Sequence, residues 1–489
     1  AVLALVFRND RMMEMVVEGD RGFRHAVTGL FYREGRSHED SSGYADVIND
    51  SYTLIGGVLE RFKGRDRYAD GIGLMDEFEQ RLAAIADWES LERCGGRWLN
   101  YGDSGNSRES RLRMKPNTPK PTLLAHEAGL TVMRQGPNFD TRKHVLLYHS
   151  NSGYGHGHRD QLMLKIIGYG YDFSADLGYP ANLSSKKRRY WTNNTPSHPT
   201  VVIDEKQQHR ACCASEGLYG ASDWAQVASA YSHNAYPGSD LYHRTAAVVQ
   251  VGDDRHFVID VFRVVGGRQH DYFLHSLGGE EGRNFDISCE QRLSDRQGTL
   301  AGPEVEYGAD LKSGYSYIKD LRAGTVNEPF TATWRTGDEQ QTGYSVHVLP
   351  TDACEVITGR AEGKGIFGRS PLDPYLVLRR SGEESLPSTF VVVHEPFQGD
   401  DLGLEVETVP VDGPATAMPA GVRVTTSDGQ DFVFRSSLMD QATEQQYISD
   451  SVHLEGPQGD RIAGGDVADA DTGTTRRLGE VDAGGHQFG

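Results

Sequence analysis

The spacing of apolar residues changes once along the chain, from a helical period to a strand period. In about the first 115 residues, apolar side chains recur at i, i+3, i+4 and i+7, which is the pattern of an amphipathic helix. The residues are Tyr52, Leu54, Ile55, Val58, Leu59 and Phe62 in one segment, and Met75, Phe78, Leu82, Ile85 and Leu91 in the next. The pattern predicts two helices in this part of the chain.

A proline-rich stretch, residues 115–121, separates this region from the rest and reads as a linker, because proline cannot continue a helix. Beyond it the apolar period is two, and Gly, Asp and Asn turns interrupt the segments, as in antiparallel strands. The predicted strands are His144–His149, Gln161–Phe173, Thr200–Asp204, Thr245–Val251, His256–Val265, Gly343–Leu349 and Thr389–Val393.

This order predicts an α+β multidomain chain. We expect a helical domain at 1–118, a central antiparallel β-sandwich with the candidate metal site at 119–385, and a C-terminal β domain at 386–489. The tail after Ser451 is rich in Gly, Asp and Thr and is expected to be partly disordered.

The composition restricts the partners. The net charge is −20, from 70 acidic and 50 basic residues, which disfavours nucleic acid and anionic membranes. An anionic polymer would need a local basic cleft. No apolar run reaches the roughly 18–20 residues that cross a bilayer, and the start at Ala1 lacks the basic region of a signal peptide.

Cysteines give no framework for the fold. They are odd in number and lack CxxC spacing, which argues against a disulfide scaffold and a thiolate zinc ribbon. We expect most of them to be buried small apolar residues. They are Cys94, Cys212, Cys213, Cys289 and Cys354.

The segment 155–162, Gly-His-Gly-His-Arg-Asp-Gln-Leu, holds the most informative side chains. Period-two geometry places His156 and His158 on one face of a strand or its approach, where a metal ion or a sugar ring could meet both. Asp176 and His198 follow at the ends of neighbouring predicted strands. Two or three imidazoles and one carboxylate are what a tetrahedral zinc site requires.

Asp160 offers an alternative carboxylate. His158-x-Asp160 with a later histidine also fits the facial triad of a non-haem iron oxygenase, for which Arg210 would be a loose candidate substrate-binding residue. The large helical region is not expected of the compact jelly roll that such enzymes use.

An ordered set of motifs resembles a known family. The set comprises Trp98–Ser104, the Gly-His-Gly-His-Arg-Asp segment, Asp176–Tyr179, Trp191 with Thr195–Asp204, and Val258–His275. Together they resemble the heparinase II/III-like polysaccharide lyases, including the oligoalginate lyases, over roughly residues 30–400. The resemblance implies an (α/α) toroid followed by antiparallel β-sheet domains, and cleavage of uronic-acid polymers by β-elimination.

Residue by residue, the resemblance implies Tyr44 as general acid, with Tyr52 as a competitor that fits the helix core better. It implies His156 as base or carboxylate-neutralising group. It also implies His158, Asp176 and His198 as ligands of one zinc ion, with a structural role.

Two features depart from the family. Residues 1–118 can supply only the C-terminal part of a toroid. The other helices, and an Asn or His that neutralises the substrate carboxylate, would precede Ala1, as in a fragment. Pro199 replaces the Asn that usually follows the last histidine.

Lys186-Lys187-Arg188-Arg189 is the only dense basic run, and such a run is usually a solvated face. Because it lies between site segments, we expect Arg189, and then Arg188, to bind a substrate carboxylate or sulfate. The cluster His270, Tyr272 and His275 lies along one predicted strand and is interpreted as structural.

The resulting hypothesis is a polysaccharide lyase acting on a uronic-acid glycan of the alginate or glycosaminoglycan type, leaving a 4,5-unsaturated uronate end. The alternative is a non-catalytic glycan-binding protein on the same scaffold. The expected partner is an anionic polysaccharide or oligosaccharide, with no nucleic acid and no membrane span. A periplasmic or secreted bacterial location is expected, and a homodimer is left open.

Overall fold

A computed structural model describes residues 9–62, 76–94, 97–104, 121–136, 143–150, 155–180, 184–210, 214–276, 284–336, 341–363, 372–438, 450–463, 466–468 and 475–477. The helices of seven or more residues in these ranges are α1 Asp10–Glu18, α2 Phe23–Gly29, α3 Ser42–Phe62 and α4 Asp76–Glu92. Most of the predicted linker lies outside the described residues. No helix among them is long and apolar enough to cross a membrane.

The helices follow from local signals and a shared core. The Asn9 side chain caps α1 by accepting a hydrogen bond from the Met12 amide. Apolar side chains of α3, including Ile48 and Tyr52, pack with Ile85 of α4. Both predicted helices are confirmed, although Leu54 is 69% exposed because it lies off the buried stripe. The four helices do not show the toroid.

Antiparallel strands make up most of the remaining structure. The first thirteen are β1 Arg93–Cys94, β2 Arg97–Trp98, β3 Leu123–Ala125, β4 Leu130–Gln135, β5 Lys143–Tyr148, β6 Met163–Gly168, β7 Tyr171–Asp172, β8 Val201–Ile203, β9 Ser215–Ala221, β10 Ala225–Tyr231, β11 Leu241–Val251, β12 Arg255–Val265 and β13 Gln269–His275. Between β7 and β8, the short helix α5 Ser185–Lys187 runs into a π-helical turn, Arg188–Thr192.

The later strands are β14 Phe285–Ile287, β15 Ser294–Thr299, β16 Ile318–Val326, β17 Phe330–Arg335, β18 Gly343–Pro350, β19 Cys354–Glu362, β20 Leu372–Ser381, β21 Pro387–Phe397, β22 Glu405–Thr408, β23 Ala420–Thr425, β24 Asp431–Leu438, β25 Asp450–Glu455, β26 Arg461–Ala463, β27 Asp466–Ala468 and β28 Thr475–Arg477. Six of the seven predicted strands are therefore confirmed, with slightly different ends, and Gln161–Phe173 contains two strands, β6 and β7.

The strands form four larger sheets. One sheet contains β3 to β7 in sequence order, and another contains β22 to β26 in sequence order. The other two sheets are built from β8 to β21. One has eight strands, in the order β14-β17-β18-β21-β12-β11-β10-β9, and the other has six, in the order β15-β16-β19-β20-β13-β8. One core cluster joins the β3–β7 sheet to both of these, for example through Leu164, Phe262 and Leu376. The expected antiparallel β-sandwich is thus confirmed.

Two details of the sequence-based prediction are wrong. The segment Gln161–Phe173 is a hairpin, because Tyr169 and Gly170 both adopt positive φ and reverse the chain. Strand β21 pairs with β12 and β18 in the eight-stranded sheet, so the central β region extends past the proposed boundary at residue 385. The start of the tail forms β25 and β26, and much of the remainder lies outside the described residues.

A buried arginine ties the sandwich to the loops of the candidate site. Arg244 makes two 2.8 Å hydrogen bonds to the Asp260 carboxylate. Its Nη1 also donates to the carbonyl oxygens of Leu162, at 2.6 Å, and Pro199, at 2.7 Å. Because Pro199 follows His198 directly, Arg244 holds the segments that contain Leu162 and His198 against the eight-stranded sheet.

Candidate active site and metal centre

Four loops meet beside the start of α3 and build the candidate site. The amide of His156 donates to the carbonyl of Glu39, and the amide of Asp103 donates to the carbonyl of His156, both at 2.8 Å. Gly102 has φ +62, and a Cβ there would lie 2.6 Å from the Asp40 carbonyl oxygen. Only glycine allows the backbones to approach this closely with that conformation.

A buried ion pair fixes the helical side of this junction. Arg36 lies 3.3 Å from the Asp40 carboxylate, and neither side chain is exposed. Arg36 also donates to the carbonyl of Ala128 at 2.6 Å and to Ser150 Oγ at 2.7 Å. Since Ala128 and Ser150 belong to the β region, the pair joins it to the loop that precedes Tyr44.

Tyr44, His156 and Tyr179 form an aromatic group at this junction. The rings of Tyr44 and His156 are stacked, with centroids 3.5 Å apart and planes 7° apart. The hydroxyl of Tyr179 lies 2.8 Å from the Tyr44 hydroxyl and 3.1 Å from His156 Nδ1. Burial, the hydrogen bond with Tyr44 and the charge of Asp103 raise the pKa of Tyr179. The Tyr179 phenol is therefore favoured in its protonated form.

Asp103 connects the aromatic group to a second histidine. Its Oδ2 lies 3.0 Å from His156 Nδ1, and its Oδ1 lies 3.2 Å from His158 Nε2. Arg188 Nε donates to both carboxylate oxygens at 2.8 and 2.9 Å. Burial would raise the pKa of Asp103, but the hydrogen bonds from His158 and Arg188 outweigh it and lower that pKa to about 2. The charged Asp103 carboxylate can accept Nδ1–H of His156, and Nε2 of that ring lies 3.6 Å from the Glu39 carboxylate.

The basic run divides into paired and open cations. Lys186 pairs with Asp310 at 2.9 Å, Lys187 pairs with Glu362 at 2.7 Å, and Arg188 is bound to Asp103. Arg189 is exposed, and no ion pair of it is found within the described residues. The guanidinium of Arg189 is therefore the group of this run that is accessible to an anion.

The second cluster has the composition of a metal site. His158, Asp160, Asp176 and His198 are all buried, and one ligand atom of each lies within 4.8 Å of the others. His158 Nδ1 is 3.1 Å from His198 Nε2. Asp176 Oδ2 lies 3.3 Å from the first nitrogen and 3.2 Å from the second. These separations match the roughly 3.3 Å edge of a tetrahedron with metal bonds of about 2.0–2.1 Å.

The outer hydrogen bonds also suit a metal. His198 Nδ1 lies 2.9 Å from the Asn194 carbonyl, and His158 Nε2 faces Asp103. If each of these nitrogens donates its proton outward, the two inner nitrogens and the Asp176 carboxylate all direct lone pairs to one point. Burial would lower the pKa of His158, but Asp176 and Asp103 raise it to about 10. The pocket thus favours a positive charge, and its residues fit a cation.

Asp160 belongs to the same cluster, but the surroundings of its carboxylate differ from those of Asp176. Its side chain is fully buried, and neither carboxylate oxygen has a hydrogen-bond partner among the described residues. Burial raises the pKa of Asp160 to about 6.

The structure thus brings Tyr44, His156 and Arg188 together, and beside them His158, Asp176 and His198. The three candidate ligands lie in loops next to the ends of β6, β7 and β8. Tyr52 packs between Phe23 and Phe31 in the helical core, as expected.

Two site residues were missed as candidates, Asp103 and Tyr179, although both lie inside motifs that were recognised. The short run Gly178-Tyr179 after a ligand aspartate was the available signal for Tyr179. For Asp103, the signal was a carboxylate following Tyr101-Gly102.

Residues 117–292 match the sequence model of the family described as Heparinase II/III-like, C-terminal. No curated protein sequence matches the chain. Among solved structures, the fold is similar to heparan sulfate lyase HepC from Pedobacter heparinus, with a TM-score of 0.55 and 12% identity over 87% of this chain and 62% of that one. It is also similar to the heparinase III BT4657 gene product, with a TM-score of 0.59 and 10% identity over 84% and 60%.

A further solved heparinase III gives a TM-score of 0.55 and 12% identity, over 84% of this chain and 62% of that one. The chain therefore spans about three fifths of the length of these structures. At such identities the likeness shows a shared fold. With the family match, it confirms the resemblance to the heparinase II/III-like superfamily.

Proposed function

We propose that this chain, whose residues 117–292 match the model of the heparinase II/III-like C-terminal domain, is a polysaccharide lyase. The substrate would be a uronic-acid glycan of the glycosaminoglycan or alginate type, cleaved by β-elimination to give a 4,5-unsaturated uronate end. The observation that carries this proposal is the stacked pair Tyr44–His156, with the Tyr179 hydroxyl within hydrogen-bond distance of both.

β-Elimination needs a neutralised uronate carboxyl group, a base for the C5 proton and an acid for the leaving O4. Tyr44 is the proposed acid, because its hydroxyl lies 2.8 Å from that of Tyr179 and its ring stacks on the partly exposed ring of His156. His156 is the proposed base or carboxylate-neutralising group, acting through Nε2 while Asp103 holds Nδ1. Tyr179 would keep the Tyr44 hydroxyl oriented.

The cations behind this pair have separate proposed roles. Arg188 is committed to Asp103 and would fix that carboxylate, and through it the ring of His156. Arg189 is exposed on the adjacent position of the same turn and would bind a substrate carboxylate or sulfate. This local basic surface would let an anionic polymer approach a chain of charge −20.

The proposed metal is one zinc ion, held by His158, Asp176 and His198. Two imidazoles and a carboxylate suit zinc, whereas calcium would want more oxygen ligands. When bound, the ion would supply a rigid cross-link between three loops. Because Asp103 contacts both His158 and His156, the metal would also stabilise the position of the catalytic ring.

The proposed setting follows from the substrate. A charged polysaccharide does not cross a bilayer unaided, so a periplasmic or secreted bacterial location is proposed. A homodimer stays a prediction.

The proposal is tested with the full-length protein on alginate, heparan-type and chondroitin-type polymers and ulvan, by near-ultraviolet absorbance. We expect at least one polymer to yield the chromophore of a 4,5-unsaturated uronate. New reducing ends without that chromophore would indicate a hydrolase. If no polymer yields either the chromophore or new reducing ends, the hypothesis that the protein is an enzyme acting on these polymers is wrong.

The second candidate is a non-catalytic glycan-binding protein on the same scaffold. It is favoured by the small helical portion, which has four helices of seven or more residues among the described residues and would have to form one wall of a cleft. Such a protein would bind a uronic-acid polymer through the surface around Arg189 without turnover.

A further inference from the structure

The side chain of Asp160 has no explanation in the catalytic arrangement. It is fully buried, and neither of its oxygens has a hydrogen-bond partner among the described residues. Its backbone carbonyl accepts a bond from the Met163 amide, which accounts for the main chain alone. Burial of an isolated charged carboxylate is strongly unfavourable unless a cation is close to it.

Among the described residues, no lysine or arginine forms an ion pair with Asp160, and the nearby imidazoles of His158 and His198 pair with Asp176. The ion pairs of the described residues that lie near this point join His158 and His198 to Asp176, and Arg188 to Asp103. The groups that surround Asp160 are instead the candidate metal ligands, with one atom of each within 4.8 Å of the others. The carboxylate without a hydrogen-bond partner therefore lies beside the three candidate ligands, with an oxygen within 4.8 Å of a ligand atom of each.

We infer that Asp160 is a fourth protein ligand of this centre and closes it to water and substrate. The inference rests on the zinc site proposed above and goes beyond its three ligands. A structural zinc site takes four protein ligands, whereas a catalytic one keeps a position open. The centre would then have the ligand set His158, Asp160, Asp176 and His198.

Charge balance supports a closed centre. Two carboxylates neutralise a divalent ion, and the remaining buried carboxylate, Asp103, is neutralised by Arg188. A neutral closed centre has no water to activate, so proton transfer would be left to Tyr44 and His156.

The test compares zinc affinity in the full-length protein, by chelator competition, for the wild type, Asp160→Asn and Asp253→Asn. Asp253 is an exposed residue of the β11–β12 turn and serves as the matched control. We expect Asp160→Asn to bind zinc at least about tenfold more weakly, since even the loss of an outer partner costs roughly 10–100-fold. Asp253→Asn should equal the wild type.

A second measurement does not depend on the variant folding. In wild-type protein substituted with cobalt, a closed four-ligand centre should keep its visible spectrum when thiocyanate is added, whereas an open position would bind the anion. A thiocyanate-dependent spectrum, unchanged zinc affinity in Asp160→Asn, or a wild type that binds no zinc would overturn the inference. Failure of the lyase proposal would be seen separately, in the uronate chromophore assay.

Discussion

The imidazole of His156 lies flat on the phenol ring of Tyr44, with centroids 3.5 Å apart. Tyr44 belongs to the first turn of α3, and His156 belongs to the loop that precedes β6. The proposed catalytic pair is thus assembled across the junction between the helical and β regions. Each region supplies one half, so rigid docking at this junction, through Arg36 and Asp40, is part of the chemistry.

Replacing Tyr44 with Phe should keep the stacked ring and remove the proposed acid. We expect kcat to fall roughly 10²–10⁴-fold, the usual contribution of a positioned acid or base, with KM and melting temperature little changed. Initial rates of chromophore formation measure the effect. Tyr52→Phe is the matched control, because Tyr52 lies in the helical core. If Tyr44→Phe keeps the wild-type kcat, Tyr44 is not the acid.

The carboxylate of Asp103 contacts both His156 and His158, so its loss should be felt in two assays. For Asp103→Asn we expect kcat to fall and zinc affinity to fall roughly 10–100-fold, as for other partners of metal-bound histidine. Asp310→Asn, which removes the exposed partner of Lys186, should change neither. If activity falls while zinc affinity is unchanged, Asp103 does not stabilise the metal site.

The sequence was sufficient for features that repeat over a few residues. The period-two segments located β11, β12 and β18, because alternation reports directly on which side chains face a core. The four buried candidate ligands also came from short motifs. Segment ends were less predictable, as at Tyr169, where a non-glycine residue adopts φ 52 and turns the chain.

The missed site residues depend on contacts between distant parts of the chain. Tyr179 matters because its hydroxyl meets that of Tyr44, 135 positions earlier. Asp103 matters because it meets His156, 53 positions later. Neither residue type nor local pattern encodes such a contact. The basic run shows the same limit, because its sequence does not tell which cations carboxylates already bind.

The proposed zinc site predicts that His198→Ala loses both metal and stability. Metal analysis of protein purified without chelator should find about one zinc per chain in the wild type and much less in the variant. The melting temperature should fall, because the cross-link between three loops is removed.

The control for this effect is His270→Asn. His270 is also buried, and its hydrogen bonds are to the Gly266 carbonyl and Ser388. This variant should lower the melting temperature while keeping its zinc. Full zinc occupancy in His198→Ala would reject His198 as a ligand.

The division of the basic run into paired and open cations predicts which arginine meets the substrate. Arg189→Ala should lower kcat/KM roughly 10–100-fold, the value of a hydrogen bond to a charged group, mainly through KM, with no change in melting temperature. Lys186→Ala removes a neighbouring exposed charge that already pairs with Asp310, and it should have little effect. Steady-state kinetics at two salt concentrations measure both variants. Equal losses in the two would mean that the run acts only through its total charge, and Arg189 would have no specific role.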